Sequence, residues 1–140
     1  MASAKSPVTC HVLDSTLGKP AANVNVRLEV IDGSSFMTLA SGQTDSDGRC
    51  VNLLPPQPRL KAGIYRMIFN TGEYFEKDKR DTFYPIVEVS HSILPNQTNT
   101  ITFLCFLALG RILLTVVVKV PVPLVMIHSM ALFVIIALRD

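Results

Sequence analysis

The stretch that decides the fold lies near the N-terminus and reads Thr9-Cys10-His11-Val12-Leu13-Asp14. Successive side chains of a β-strand point to opposite faces, so Thr9, His11 and Leu13 share one face and the residues between them share the other. This alternation predicts a strand over Val8–Asp14. It places a histidine in the middle of a rigid element, in a chain with 3 histidines. His11 is therefore a candidate for chemistry, and the alternative is a hydrogen-bonded structural histidine.

Four further segments have the pattern of strands. Residues 24–30 alternate apolar and polar side chains, which predicts a half-buried strand. Residues 36–44 predict the returning strand of an antiparallel hairpin. Residues 63–69 and 84–90 predict two more strands.

One short helix interrupts these strands. Thr71 is a plausible helix N-cap and Glu73 is favourable in a first turn, so we expect a helix over residues 73–79 that is polar on most of its surface. Short strands joined by Gly, Pro and Asp turns, with one helix, indicate a mostly β fold, a two-sheet β-sandwich.

The segment Asp45-Ser46-Asp47-Gly48 predicts a tight turn with a left-handed glycine, and it delivers Arg49 to the start of the next segment. Its aspartates also suggest a calcium loop. That frame would place Gln43 at the first ligand position and Leu54 where a bidentate glutamate belongs. We therefore interpret the segment as a turn and expect no metal site and no cofactor.

Composition excludes nucleic-acid binding and indicates the compartment of the protein. Residues 1–100 carry ten Lys and Arg against ten Asp and Glu, so the net charge of +2 comes from the last forty residues. A nucleic-acid-binding domain would carry clustered basic residues, which are missing from this sequence, so we exclude that class. The 3 cysteines are widely spaced and form no C-x-x-C pair, which favours a reducing compartment. We expect no secretory signal peptide, since the first residues have no apolar core.

The character of the sequence changes near residue 100, and we predict a domain over residues 1–99 followed by a divergent apolar tail over residues 100–140. Pro121 and Pro123 confine a regular apolar helix to about 15 residues, short of the roughly 20 that span a bilayer. Two interpretations stay open: membrane association through residues 101–138, or a spliced-in or read-through replacement end. Residues 101–118 are β-prone and could supply substitute strands.

Six motifs in chain order resemble one family. They are Cys10-His11-Val12-Leu13-Asp14, Gly18-Lys19-Pro20-Ala21, Thr44-Asp45-Ser46-Asp47-Gly48-Arg49-Cys50, Gly63-Ile64-Tyr65, Asn70-Thr71-Gly72-Glu73-Tyr74-Phe75 and Phe83-Tyr84-Pro85. The chain resembles the transthyretin-like family from about residue 7 to about residue 97. The hormone-carrying branch lacks the histidine of the first strand and the arginine after the Asp-Gly turn. This chain has both, as His11 and Arg49, and is similar to the 5-hydroxyisourate hydrolase branch.

The resemblance implies a function and a site. It implies a homotetramer of two-sheet sandwiches whose sites lie in a channel between subunits. Its implied substrate is a small planar purine-derived ring, opened by water at a cyclic amide in urate degradation. His11 and Arg49 are the implied catalytic and substrate-binding residues: a neutral imidazole can act as general base, and a guanidinium can hold carbonyls and stabilise developing negative charge.

The sequence also departs from the family pattern. Hydrolases of this family continue into a His-Tyr-His strand and end in Tyr-Arg-Gly-Ser. Here Thr100 stands where the second histidine would be, and no Tyr-Arg-Gly-Ser occurs. His91 and His128 lie in other contexts, and we expect His91 to be an exposed strand-end residue. We therefore predict a hydrolase of impaired activity, with a non-catalytic small-ligand-binding module or an inactive variant as alternatives, located in the cytoplasm or peroxisome.

Overall fold

The computed structural model describes residues 6–57, 60–95 and 101–107, together with the backbone of residues 115–119 and 134–135. The elements in chain order are β1 (Val8–Asp14), β2 (Lys19–Pro20), β3 (Asn25–Asp32), β4 (Ser35–Gln43), β5 (Arg49–Cys50), β6 (Gly63–Asn70), α1 (Thr71–Lys77), β7 (Val87–Ile93), β8 (Ile101–Leu107), β9 (Thr115–Lys119) and β10 (Val134–Ile135).

These strands form two sheets. The first has six strands in the order β10-β9-β8-β1-β2, with β5 also paired to β1. The second has four strands in the order β4-β3-β6-β7. The predicted mostly β, two-sheet sandwich with one short helix is therefore confirmed.

The first strand lies where its alternation predicts, and it is the centre of the first sheet. Its residues alternate between buried and half-buried from Val8 to Asp14. It pairs in parallel with β8 over their whole length, from Val8 opposite Ile101 to Asp14 opposite Leu107. The expectation that residues 101–118 supply strands is confirmed, since β8 lies within this range and β9 overlaps its end.

The core fills the space between the sheets. The first sheet contributes the buried faces of β1 and β8, including Val12 and Phe103, each fully buried. The second contributes inward residues of β3 and β6, including Leu28, Met67 and Phe69. Burying such a side chain contributes about 1.5–3 kcal/mol relative to leaving it exposed, so apolar residues facing each other across the sheets hold them together.

Two predicted elements differ from the structure. The helix begins at Thr71 instead of residue 73, and its N-cap is Asn70, so the prediction that Thr71 is the N-cap is wrong. The Thr71 hydroxyl instead donates to the Tyr84 carbonyl oxygen. The predicted strand over residues 84–90 is observed as Val87–Ile93. The shift arises because Pro85 has no N–H to donate to a neighbouring strand, and because the Pro85 carbonyl accepts from Gly72 in α1 instead.

The helix is held against the first sheet by a buried polar cluster. The Tyr74 hydroxyl donates to Asp14 Oδ2 at 2.9 Å, and Arg80 Nη2 donates to the same oxygen at 2.8 Å. Asp14 Oδ1 accepts from the backbone N–H groups of Thr16 and Leu17. Burial by itself raises the pKa of the Asp14 carboxyl, but the hydrogen bonds outweigh it and leave that pKa below its ordinary value.

The apolar C-terminal part is described only in its strands. Among the residues that the structure describes, no helix has the length and apolar character needed to cross a membrane. The division of the chain at residues 99 and 100 stays a prediction, and β8 beyond it is a full member of the first sheet.

Candidate functional site

The antiparallel pairing of β1 with β5 brings His11 and Arg49 together. The two residues are direct partners in the register, next to the pair Cys10 and Cys50. Residues opposite each other in antiparallel strands point to the same face, with Cβ atoms about 4.5–5.5 Å apart. His11 is half-buried and Arg49 is exposed. The pairing therefore presents an imidazole and a guanidinium side by side on the outer face of the first sheet.

A tight turn holds Arg49 in this position. The Asp45 side chain accepts from the backbone N–H groups of Asp47 at 2.9 Å and Arg49 at 2.8 Å. Gly48 has φ of +72°, in the left-handed region that favours glycine, as the sequence predicts. Its carbonyl oxygen accepts from the Val12 N–H at 2.8 Å, which ties the turn to β1.

One hydrogen bond decides the tautomer of the neutral His11 ring. Its Nε2 lies 3.0 Å from the carbonyl oxygen of Asp47. A carbonyl oxygen can only accept, so this contact requires a proton on Nε2. In the neutral ring, Nδ1 is then the nitrogen with the free lone pair. The Asp47 carbonyl thus selects the tautomer in which Nδ1 is the base.

The surroundings keep this imidazole neutral near pH 7. Burial lowers the pKa of His11, and the positive charge of Arg49 lowers it further. The hydrogen bond to the Asp47 carbonyl and the charges of Asp45 and Asp47 act in the opposite direction, but the pKa still ends below its ordinary value. A neutral imidazole with a free nitrogen can accept a proton from a water molecule. The permanent positive charge of Arg49 beside it can hold an anionic oxygen.

The other side of His11 is formed by β8, which the sequence did not place in the site. Leu104 is the register partner of His11, and the alternation of β8 directs Thr102, Leu104 and Phe106 to the same face, where all three are half-buried. The hydroxyl oxygens of Thr9 and Thr102 lie 3.0 Å apart. A shallow recess next to this face is lined by Leu13, Phe106, Lys19 and Pro20 among others. The face is therefore polar around Thr9 and His11 and apolar toward Leu13 and Phe106.

The other histidines do not join this site in the part of the chain that is described. His91 lies inside β7 of the second sheet, opposite Tyr65, and is half-buried, so the expectation of an exposed strand-end residue is wrong. Thr100 and His128 lie outside the described residues. In the described ranges, no group of three or more His, Cys, Asp or Glu side chains is arranged to hold a metal ion.

Comparison with known proteins gives the family. The family model described as HIUase/Transthyretin family matches residues 8–106. The 5-hydroxyisourate hydrolase of Salmonella typhimurium strain LT2 is 41% identical over 93 residues, which cover 66% of this chain and 68% of that protein. The 5-hydroxyisourate hydrolase of Mus musculus is 39% identical over 95 residues, which cover 66% of this chain and 80% of that protein.

Solved structures show the same fold. Sea bream transthyretin, crystallised in complex with thyroxine, superposes with a TM-score of 0.72 at 25% identity, over 83% of this chain and 97% of that chain. The predicted family and its hydrolase branch are confirmed by these similarities. The chain belongs to the HIUase/Transthyretin family.

Proposed function

We propose that this chain hydrolyses 5-hydroxyisourate by opening its ring at a cyclic amide, as a step in urate degradation. The observation that carries the proposal is the register pair of His11 and Arg49 on the outer face of the first sheet. It occurs in a chain whose relatives are named 5-hydroxyisourate hydrolases.

His11 acts as the general base. With Nε2–H donated to the Asp47 carbonyl, Nδ1 takes a proton from a water molecule as that water attacks the ring carbonyl carbon. The C–N bond of the cyclic amide then breaks, and the imidazolium returns the proton to the leaving nitrogen. General-base catalysis of this kind contributes about 10²–10⁴-fold to the rate.

Arg49 binds the substrate and stabilises the developing charge. A planar guanidinium presents several N–H donors that match ring carbonyl oxygens, and it stays protonated throughout. Negative charge grows on the carbonyl oxygen as water attacks, and a positive charge fixed beside it lowers the barrier. Arg49 is exposed, so its side chain is free to reach a bound ring.

We also propose, from the family resemblance, that the activity is impaired. The second histidine of the family pattern is replaced by Thr100, and β8 places Leu104 beside His11 instead of a group that can transfer a proton. We expect Thr100→His to raise kcat/KM, and Thr98→His to leave it unchanged as the control. A Thr100→His variant with wild-type kcat/KM would contradict this explanation of the impairment.

A second candidate function is a non-catalytic module that binds a small ring. The observation that favours it is the set of half-buried apolar side chains Leu13, Leu104 and Phe106 on the face that carries His11. One solved structure with this fold, that of sea bream transthyretin, has the ligand thyroxine bound. Saturable binding of a non-hydrolysable purine ring without turnover would favour this candidate.

Turnover of freshly generated 5-hydroxyisourate separates the two candidates. The decay of the substrate is followed by absorbance with wild type, with His11→Ala and with His91→Ala as a matched control on the second sheet. We expect decay faster than the spontaneous rate for wild type and His91→Ala, and a catalysed rate lower by about 10²–10⁴-fold for His11→Ala. Equal rates for wild type and His11→Ala would overturn the hydrolase proposal.

The assembly and the location are proposed from the family resemblance. We propose a homotetramer that places the outer face of the first sheet in a channel between subunits, and sizing by light scattering tests it. A cytoplasmic or peroxisomal location stays a prediction, as does membrane association through residues 101–138, which carbonate extraction tests.

A further inference from the structure

The pairing of β1 with β5 also places two cysteines face to face. Cys10 and Cys50 are direct register partners, one step along the ladder from His11 and Arg49. Both side chains point into the core, with relative exposures of 1% and 4%. Each thiol shifts the pKa of the other, and both thiols are free.

The backbone spacing at this pair suits a disulfide. The hydrogen bond from the Val12 N–H to the Gly48 carbonyl marks that pair as a hydrogen-bonded one. Register pairs alternate in type, so Cys10 and Cys50, two positions on, form a hydrogen-bonded pair with Cα atoms about 5.5 Å apart. Disulfides join residues with Cα separations of roughly 4.4–6.8 Å, most often near 5.5–6 Å.

The surroundings allow the sulfur atoms to approach each other. Cβ atoms of a hydrogen-bonded pair lie about 5.5 Å apart and those of a disulfide about 3.8 Å apart, so the two strands must close by roughly 1.5–2 Å. In the described part of the chain β5 has two residues and pairs only with β1, so a small shift of this strand disturbs no other strand pairing. A Cβ at Gly42 would lie 3.0 Å from Cys50 Sγ, so the glycine there keeps a side chain from crowding the sulfur.

We propose that Cys10 and Cys50 are an oxidation site, forming a reversible cross-strand disulfide that locks β5, and with it Arg49, onto β1. The bearing of this lock on catalysis rests on the proposed function, whereas formation of the bond does not.

The chemistry needs an organic or inorganic hydroperoxide as oxidant. The thiolate of Cys50 attacks the outer peroxide oxygen, the O–O bond breaks, and the released alkoxide or hydroxide takes a proton, leaving a sulfenic acid on Cys50. Cys10 then loses its proton and attacks that sulfur, which forms the S–S bond and releases water. Two electrons pass from the two sulfurs to the peroxide, and a dithiol reductant returns them.

The electrostatics support these roles. The hydrogen bond from Cys10, with the backbone N–H groups of Asn52 and Gln43, lowers the pKa of Cys50 to about 7 despite its burial. The pKa of Cys10 is raised by its hydrogen bond with Cys50 and by burial, so it stays a thiol until Cys50 is oxidised. Cys105 differs: burial raises its pKa to about 12, and its partner on β1 is Val12. Cys105 is therefore the matched control.

The experiment treats the full chain with hydroperoxide, blocks remaining thiols in denaturant and maps tryptic peptides without reduction. We expect peptides 6–27 and 50–59 to be joined, with the loss of two hydrogens. The bond closes a loop of about 40 residues, so we also expect the midpoint of thermal unfolding to rise by about 10 °C and to return on addition of dithiothreitol.

The variants separate the proposed pair from other oxidation. Cys105→Ala should still form the cross-link and show the thermal shift, and Cys50→Ala should show neither. The peptide map of the unmutated chain needs no variant, so it decides the matter even where a variant folds poorly. Three thiols that all remain alkylatable after treatment, or a Cys50 sulfinic acid without a cross-link, would overturn the proposal.

Discussion

The most informative perturbation of the fold at the site is Gly48→Ala. Gly48 has φ of +72°, and a Cβ built on its backbone would lie 2.3 Å from the carbonyl oxygen of Val12. That oxygen accepts from the Ala21 N–H at 2.9 Å, so it cannot move away without disturbing a second hydrogen bond. The substitution therefore disturbs β1 at Val12 and the segment at Ala21 that follows β2, which are bonded to each other next to His11.

The expected loss of unfolding free energy in Gly48→Ala has two parts. A left-handed conformation at a residue with a Cβ costs about 1–2 kcal/mol. Separating the Gly48 turn from β1 weakens two backbone hydrogen bonds, the one from Val12 to the Gly48 carbonyl and the one from Ala21, each contributing about 0.5–1.5 kcal/mol. We therefore expect Gly48→Ala to lower the free energy of unfolding by about 2–5 kcal/mol.

Gly33→Ala is the matched control. Gly33 has φ of +65°, and nothing lies within 4 Å of a Cβ built there, so it carries only the conformational part, about 1–2 kcal/mol. Urea unfolding measures both free energies from the midpoint and the slope. We also expect Gly48→Ala to reduce turnover, since it displaces Arg49 relative to His11, and Gly33→Ala to leave it unchanged. Equal losses of stability in the two variants would refute the reasoning about the contact with Val12.

Two further predictions concern charge. Arg49→Gln removes a positive charge that lowers the pKa of His11, so the acid limb of the pH profile of kcat/KM should move to higher pH; an unmoved limb would show that the two side chains do not interact. Asp14→Asn should lower the free energy of unfolding at pH 7 by about 2 kcal/mol, because it removes the buried carboxylate that accepts from Arg80 and Tyr74 and leaves Arg80 with the exposed Asp78 as its charged partner, whereas the exposed Asp32→Asn should change it by less than about 0.5 kcal/mol. The pKa of Asp14 is depressed in the folded state, so its contribution is present above its unfolded pKa of 3.8 and is lost as pH falls below it; the gap between wild type and Asp14→Asn should therefore narrow in acid, and a constant gap would contradict the assignment.

Local patterns predicted most of the fold. The alternation over Val8–Asp14 placed β1 at its observed bounds, because one face of that strand is buried and the other is not. The helix start was missed because a hydroxyl suited to capping the helix, that of Thr71, instead bonds the Tyr84 carbonyl, a contact between residues distant in sequence. The position of β8 beside β1 could not be predicted either. Nearly every residue of Ile101–Leu107 is apolar, so the sequence shows no period from which a buried face could be identified.

The site was predictable in part. His11 was placed by the strand pattern, and the family resemblance singled out Arg49 as its partner, which the register now shows beside it. Leu104 and the Asp47 carbonyl left no local signal. Leu104 lies beside His11 because β8 pairs in parallel with β1, a strand distant in sequence. The Asp47 carbonyl is a backbone atom that any residue supplies.

The central claim is that His11 and Arg49 act together on 5-hydroxyisourate. The measurement that tests it most directly is kcat/KM for wild type, His11→Ala, Arg49→Gln and the double variant, with the spontaneous rate subtracted. Residues that act as a unit give losses that do not add, so we predict a double variant about as slow as His11→Ala alone. Losses that add in full, or a His11→Ala variant as fast as wild type, would contradict the account.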